Sequence, residues 1–326
     1  MYKNNNSQNN GKISLQKIEF YPECVINPGY QKKGRALSYY LTQNYIVDKN
    51  YFLDKSIAKI IDRYSKTNSI SILEPGCGPG NITAFSLLGS KMIQSFKEID
   101  IECADLSNEM TSLLNENIKK RENEINNSNC TVNVGITSGV SLIDTHYYEN
   151  MTKKKLFDVV LLSQFKHYFP NSDESYLAKK LRSNTIHFMI KDQFIHFIYD
   201  FLIKEKGMLI IIDDEENEDQ NVGKMNDDKW DQYVAINLNK NIDKIRVINK
   251  EIADRVYKKY NLPGINPKDV AGEIRRYRRE QCNEEIRPLS TTISSLKKIF
   301  GEENVEYFRH EDSLLSRFYL VIAYKQ

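Results

Sequence analysis

The 326-residue chain is short of the residues that would commit it to a specialised class. It has one tryptophan, eight prolines and five cysteines. Cys24, Cys77, Cys103, Cys130 and Cys282 are odd in number and scattered, and no Cys-x-x-Cys occurs. That excludes a disulfide scaffold and leaves no expected metal site; a reduced, cytoplasmic protein is the expectation. No run of 18 apolar residues is present, so no transmembrane helix and no membrane partner is expected. Charge of one sign is missing too. Lys and Arg number 46 against 44 Asp and Glu, a formal +2. No global field recruits nucleic acid, which is therefore not an expected partner. The first ten residues are polar and Asn-rich, with no apolar signal segment. Residues 1–15 read as a disordered tail.

What the chain does have is concentrated between Ile70 and Thr83. A short β-rich apolar run ends on Glu74. Gly76, Gly78 and Gly80 follow at alternate positions, and a helix-compatible segment begins after them. Glycine lets a ligand lie directly against the backbone and opens dihedrals closed to other residues. A helix that opens after such a loop points unpaired N–H groups at the turn. A strand, a glycine cradle and a helix start suit a nucleotide-like ligand at the end of a parallel strand. The dinucleotide fingerprint wants two residues between its second and third glycines, and here only Pro79 separates Gly78 from Gly80. A Walker loop ends in Gly-Lys-Ser/Thr, whereas Asn81 follows Gly80. Glu74 would repel a phosphate and suits a ligand with a positive amino group.

This loop resembles motif I of the class I S-adenosylmethionine-dependent methyltransferases, Glu/Asp-x-Gly-x-Gly-x-Gly. A second element supports the resemblance. The alternating run Ile99–Ala104 ends at Asp105-Leu106-Ser107, about 25 residues past the last glycine, near the spacing of a ribose-binding carboxylate. A carboxylate accepts both ribose hydroxyls at once. Ser107 fits as the N-cap of a helix carrying Met110, Leu113 and Leu114. Asp105 and Ser107 read equally as capping residues when taken alone. The resemblance implies S-adenosylmethionine as cofactor, S-adenosylhomocysteine as product, and a cofactor site drawn from Glu74, Gly76, Cys77, Gly78, Gly80, Asp105, Leu106, Thr137, Ser138, Ser163 and Gln164.

Strand-like runs recur at 130–136, 156–162 and 208–212, with helix-period segments between them. That alternation predicts a parallel sheet covered on both faces. Val305–Phe308 and Arg317–Tyr324 read as a β-hairpin after a short helix over 292–300. The expected fold is therefore α/β: a doubly wound, mostly parallel, seven-stranded sheet with a C-terminal antiparallel hairpin. To it are added a helical N-terminal lid over 16–54 and a helical insertion over 214–290, before the sixth strand. The methyltransferase-like core spans 55–213 and 291–326. The insertion opens on the acidic run Asp213–Asp219, reads as helices over Trp230–Ile242 and Asp243–Tyr260, and carries the basic cluster Arg275–Arg279. Both charge runs read as solvated surface. A connection of this length inside a domain also suits a substrate cap.

Two stretches depart from the family pattern. Where an acidic residue commonly meets the adenine, this chain offers Thr137 or Ser138. After the fourth strand come Ser163, Gln164, His167 and Tyr168, beside the position of the reacting methyl in the resembled family. An alcohol or phenol acceptor needs a base, and the pKa of histidine suits the task. His167 is the candidate base; it reads equally as a polar residue at a strand end. Tyrosines crowd the segment before the sheet, and rings favour cations. Tyr30, Tyr40, His167, Tyr168 and Trp230 are the candidate substrate-binding residues. The expected activity is methyl transfer to an O or N atom of a small molecule, a metabolite or natural-product intermediate. Two alternatives stay open: a methyltransferase acting on protein or tRNA, and a non-catalytic cofactor-binding regulator. A homodimer is compatible with the sequence.

Overall fold

The computed structural model describes residues 13–15, 19–20, 34–43, 47–140, 145–153, 155–163, 169–183, 188–214, 232, 241–260, 289–309 and 318–326. In chain order the elements begin with β1 (Ile13–Leu15), β2 (Glu19–Phe20), α1 (Arg35–Gln43), α2 (Val47–Tyr64) and β3 (Ser69–Pro75). A π-helical turn (Thr83–Leu87), α3 (Ser90–Ser95), β4 (Glu98–Asp105), α4 (Asn108–Lys120), α5 (Glu122–Asn126) and β5 (Thr131–Ser138) follow. Then come α6 (Thr145–Thr152), β6 (Phe157–Ser163), α7 (Tyr176–Ser183), α8 (Lys191–Phe201) and β7 (Ile203–Asp214). The chain closes with α9 (Ile242–Tyr260), α10 (Leu289–Phe300), a 3₁₀ turn (Glu302–Asn304), β8 (Val305–Arg309) and β9 (Phe318–Tyr324).

All of the strands join one sheet in the order β5-β4-β3-β6-β7-β9-β8, with β1 and β2 both on the outer edge of β5. Every described pairing is parallel except those of β9, which runs antiparallel to β7 and β8. The expected seven-stranded sheet with its hairpin is present. The two short edge strands are additional. β1 corrects the reading of a tail at residues 13–15 alone: Ile13 and Leu15 pair with Val132 and Val134 on the open edge of β5, and residues 1–12 lie outside the described residues.

The near-continuous apolar runs of β6, β7 and β9 reflect burial on both faces. On one face, Phe52, Ile57 and Ile60 of α2 and Leu114 and Ile118 of α4 pack on Ile72, Ile101 and Val159. On the other, Tyr148 of α6, Phe194 and Ile198 of α8 and Leu296 of α10 pack on Val160, Leu209 and Val321. α2 is continuous across residues 54 and 55 and supplies core side chains on both sides of them. The expected lid boundary therefore falls inside a core helix; outside the core layers the lid retains α1 and β2. Of the insertion, α9 and residue 232 are described, and the expected helix over Trp230–Ile242 otherwise lies outside the described residues. Among the described residues, no helix is long and apolar enough to cross a membrane.

The sheet order reverses at β3, whose neighbours β4 and β6 lie on opposite sides. In an open parallel sheet, the crevice outside the carboxyl ends of such strands is where ligands bind. The glycine loop leaves β3 at that crevice.

Candidate functional site

The loop is built by its glycines. Gly76, Gly78 and Gly80 take φ values of 73°, 55° and 81°, a region that strains any side-chain-bearing residue. Gly80 has a packing reason as well: a Cβ there would lie 2.4 Å from Leu114 Cδ1 of α4. The backbone N–H groups of Gly76 and Cys77 both donate to the Ala104 carbonyl, at 2.8 and 3.1 Å. Asn117 Nδ2 donates to the Pro79 carbonyl at 2.9 Å. The loop is thus fastened to the end of β4 on one side and to α4 on the other.

Asp105 ends β4 and joins these parts. Its Oδ2 accepts the Gly78 N–H and its Oδ1 the Ser107 N–H, both at 2.9 Å. Burial pushes its carboxyl up from 3.8 to about 6, while the N–H groups of Ser107, Gly78 and Leu106 pull the other way. The group is half-buried, and three N–H groups on about four acceptor sites leave about one lone pair open. Ser107 caps α4 as its sequence suggests, accepting the Met110 N–H at 3.3 Å.

Glu74 differs from its expectation. It is 1% exposed, and its Oε2 accepts the Thr83 hydroxyl. The segment after the glycines is a π-helical turn rather than an α-helix. Leu87 N–H donates to Ile82 O and Leu88 N–H to Thr83 O, each at 2.9 Å. That wider turn brings Thr83 beneath the loop, with its Oγ1 3.5 Å from Cys103 Sγ. Glu74 therefore helps organise the underside of the loop. Cys77 is buried in the same nest. Its thiol is pushed well up by burial first, then by the neighbouring Cys103 thiol and by the Asp105 and Glu74 carboxyls.

Ser138 is fully buried, donates to Asn108 Oδ1 at 2.5 Å and lies 2.6 Å from Thr111 Oγ1, so its hydroxyl ties β5 to the first turn of α4. Thr137 is buried beside it, paired with Ala104 and Glu19. Ser163 ends β6 with a buried hydroxyl that has no partner among the described residues. It alternates in phase with Val159 and Leu161, so it lies on the sheet face of α2 and α4. Gln164, His167, Tyr168, Tyr30 and Trp230 lie outside the described residues.

A third apolar cluster stands beside the loop. Ala36, Leu37 and Leu41 of α1 pack with Met110 and Leu113 of α4 and with Ile252, Ala253 and Val256 of α9. The lid helix and the insertion helix therefore meet on α4. Glu109, in the first turn of α4, holds both. Its Oε1 accepts the Gly34 N–H at 2.7 Å, and it hydrogen-bonds the Tyr260 hydroxyl. That hydroxyl is pushed up by burial and then by Glu109. Gly34 has φ 86°, and a Cβ there would approach Val256 Cγ1 to 2.8 Å. Asn81 Nδ2 donates to the Tyr40 carbonyl at 3.2 Å. The Tyr40 ring lies 6.0 Å from Phe85 and 5.8 Å from Lys120 Nζ, along the outer side of the π-turn and α4. Tyr39 is the residue whose ring meets the loop, with Cε1 3.7 Å from where a Gly78 Cβ would stand. Nothing in the residue pattern distinguishes Tyr39 from Tyr40. Thr83, Asn117 and Asn108 carried no signal either, whereas Glu109 is a carboxylate in a first helical turn, a position with its own physical rationale.

No family model matches this chain, and no curated protein matches it. Several solved structures resemble it. An O-methyltransferase family protein from Burkholderia thailandensis is 13% identical with a TM-score of 0.40, over 85% of this chain and 59% of its own. The chain thus spans well under two thirds of that protein's length. Magnesium protoporphyrin IX methyltransferase from Synechocystis PCC 6803, solved with bound SAH, is 11% identical with a TM-score of 0.42, over 87% of both chains. The plantazolicin methyltransferase BpumL is 12% identical with a TM-score of 0.41, over 88% of this chain and 90% of its own. Likeness at this level says nothing of activity, and the fold rests on the strands themselves. By its strand order and its antiparallel C-terminal hairpin, the chain has the Rossmann-like fold of the class I S-adenosylmethionine-dependent methyltransferases.

Proposed function

We propose that this chain binds S-adenosylmethionine and transfers its methyl group to an O or N atom of a small molecule. The observation that carries this reading is the Asp105 carboxylate at the crevice, joined to the Gly78 N–H of a loop with three left-handed glycines. The residues fit the cofactor. Gly78 presents bare backbone, Asp105 stands at the rim with a lone pair open to a ribose hydroxyl, and the buried Ser163 hydroxyl lacks a partner among the described residues. When bound, S-adenosylmethionine supplies an electrophilic methyl on a sulfonium and needs no metal.

The chain's own part is to bind, align and exclude water. Asp105 fixes the ribose, and through it the orientation of the methyl. The glycine loop, fastened by Ala104 and Asn117, holds its shape without reorganising when the ligand arrives. α1 and α9 pack together on α4 beside the glycine loop, which supports a lid in this reading and a small acceptor over a macromolecular one. His167 is our candidate for taking the acceptor's proton. In the same reading the protein works in the cytoplasm, with no nucleic-acid or membrane partner.

Calorimetry tests the cofactor assignment: S-adenosylhomocysteine should bind, and NAD and ATP should not. NAD binding more tightly than S-adenosylhomocysteine would overturn it. A metabolite screen with methyl-labelled cofactor then identifies the acceptor.

A further inference from the structure

We propose that Tyr39 is a specificity-determining residue of the cofactor site, whose ring favours the charged sulfonium over the neutral thioether product. The inference rests on the methyltransferase reading and adds to it a residue and a chemical preference. Its starting point is the place of Gly78 along the ligand. S-adenosylmethionine is a linear molecule in which the sulfur follows the ribose through a single carbon. Asp105, the ribose carboxylate in this reading, accepts the Gly78 N–H at 2.9 Å. Gly78 therefore stands within a few ångströms of the ribose end and of the sulfur beyond it.

The bare side of Gly78 is where a ligand can approach most closely, and that side is turned to Tyr39. A Cβ at Gly78 would stand 3.7 Å from Tyr39 Cε1, ordinary van der Waals distance. The ring thus packs against Gly78 and flanks the place beside it that the ligand takes in this reading. The ring is half-buried and sits on a helix that is held in place. The Gly34 N–H is bonded to Glu109, the Tyr40 carbonyl to Asn81, and Leu37 and Leu41 are packed on α4 and α9.

An aromatic ring attracts a cation through its quadrupole and gives a neutral thioether only dispersion. Methyl transfer removes the positive charge from the sulfur. A ring beside that atom therefore holds the substrate form more tightly than the product form and speeds exchange of one for the other. The consequence is a site less inhibited by its own product than the shared contacts would allow.

The test is calorimetric titration of wild type, Tyr39→Leu and Tyr39→Phe with S-adenosylmethionine and with S-adenosylhomocysteine. Leucine keeps bulk and apolar contact but has no quadrupole. Phenylalanine keeps the ring and loses only the hydroxyl. The expected result for Tyr39→Leu is a loss of about 3- to 30-fold for the sulfonium, with a much smaller change for the thioether. Tyr39→Phe should retain the wild-type ratio. Equal losses for both ligands in Tyr39→Leu would reduce the residue to packing and overturn the proposal. Unchanged affinities for both would place the ring away from the ligand and overturn it as well. Wild-type protein that binds neither ligand sinks the methyltransferase reading and this inference together; wild-type binding with an unchanged ratio in the variant sinks this inference alone. Circular dichroism of both variants guards against reading misfolding as lost recognition.

Discussion

The ends of β3 and β4 lie side by side, and each carries a carboxylate, yet the two carboxylates have opposite surroundings. Glu74 is paired in register with Cys103, and Asp105 comes two residues further along β4. They share one face of the sheet, but Asp105 stands about 7 Å nearer the edge, two residues of strand rise. That single pleat separates interior from rim. Glu74 is sealed under the loop against the Thr83 hydroxyl. Asp105 is half-buried and bonded to loop backbone. The β3 end thus belongs to the support of the loop. The β4 end, continued through Ser107 and Glu109, belongs to its outer surface and lid. A carboxylate in a glycine motif is a ligand contact or a scaffold according to its depth, and depth follows from register.

The sharpest way to break this contrast is Glu74→Ala. It removes a buried carboxylate, leaves a void and strips the buried Thr83 hydroxyl of its acceptor. The expected cost is about 2–3 kcal/mol in denaturant unfolding. Thr83→Val leaves no void but strips the buried Glu74 carboxyl of its donor, so its cost should be of similar size. Normal stability combined with lost cofactor affinity would return Glu74 to the ligand side, where its sequence position suggested it.

Asp105→Ala should show the reverse pattern. The fold should persist, while affinity for S-adenosylhomocysteine falls by about 1.5–3 kcal/mol, the scale of a charged hydrogen-bonding group. A folded variant with unchanged affinity would mean that another group holds the ribose.

Much of this contrast was legible in the sequence. β-branched runs marked β4, β5, β6 and β7 to within a few residues, because strands buried on both faces leave little room for other side chains. Spacing alone brought Asp105 to the glycine loop. What the sequence could not show depends on three-dimensional neighbours. Whether Ser138 faces a ligand or Asn108 depends on how α4 sits against β5. The π-turn at Thr83 adds one residue to a helical turn without any proline or glycine to mark it. β1 and β2 are too short to be read from periodicity and exist because β5 offers an unpaired edge. Tyr39 and Tyr40 are neighbours in sequence and point to different partners because they sit on different sides of α1.

A pH series sharpens the account of Asp105. Its folded-state pKa is about 6 against an ordinary 3.8. The folded protein therefore keeps a proton that the unfolded chain gives up between those values. The group's contribution to stability is greatest below 3.8 and declines as pH rises to about 6, then levels off. Asp105→Asn should remove that decline, while losing one of the two N–H bonds because its amide nitrogen cannot accept. Ligand affinity should run the other way, since the ionised carboxylate is the better acceptor. From pH 6 to 5, wild-type affinity for S-adenosylhomocysteine should fall by up to about fivefold, about 1 kcal/mol. A flat affinity profile would show that the carboxylate's charge takes no part.

The smallest expected effect concerns Glu109, and it asks whether the β4 end serves the lid separately from the core. Glu109 accepts the Gly34 N–H before α1 and the Tyr260 hydroxyl at the end of α9, so one side chain fastens two helices distant in sequence. Both bonds are partly buried, and losing them should cost about 1 kcal/mol. Because α1 and α9 pack on α4 outside the sheet, that cost should fall on them as local opening rather than global unfolding. Hydrogen exchange of Glu109→Ala should show faster exchange in α1 and α9, with amides of β4 and β7 unchanged. Glu109→Gln keeps an acceptor oxygen for the Gly34 N–H and should recover part of the protection. Equal acceleration in the helices and the sheet would mean that lid and core open as one unit, and the division between the ends of β3 and β4 would then stop at Asp105.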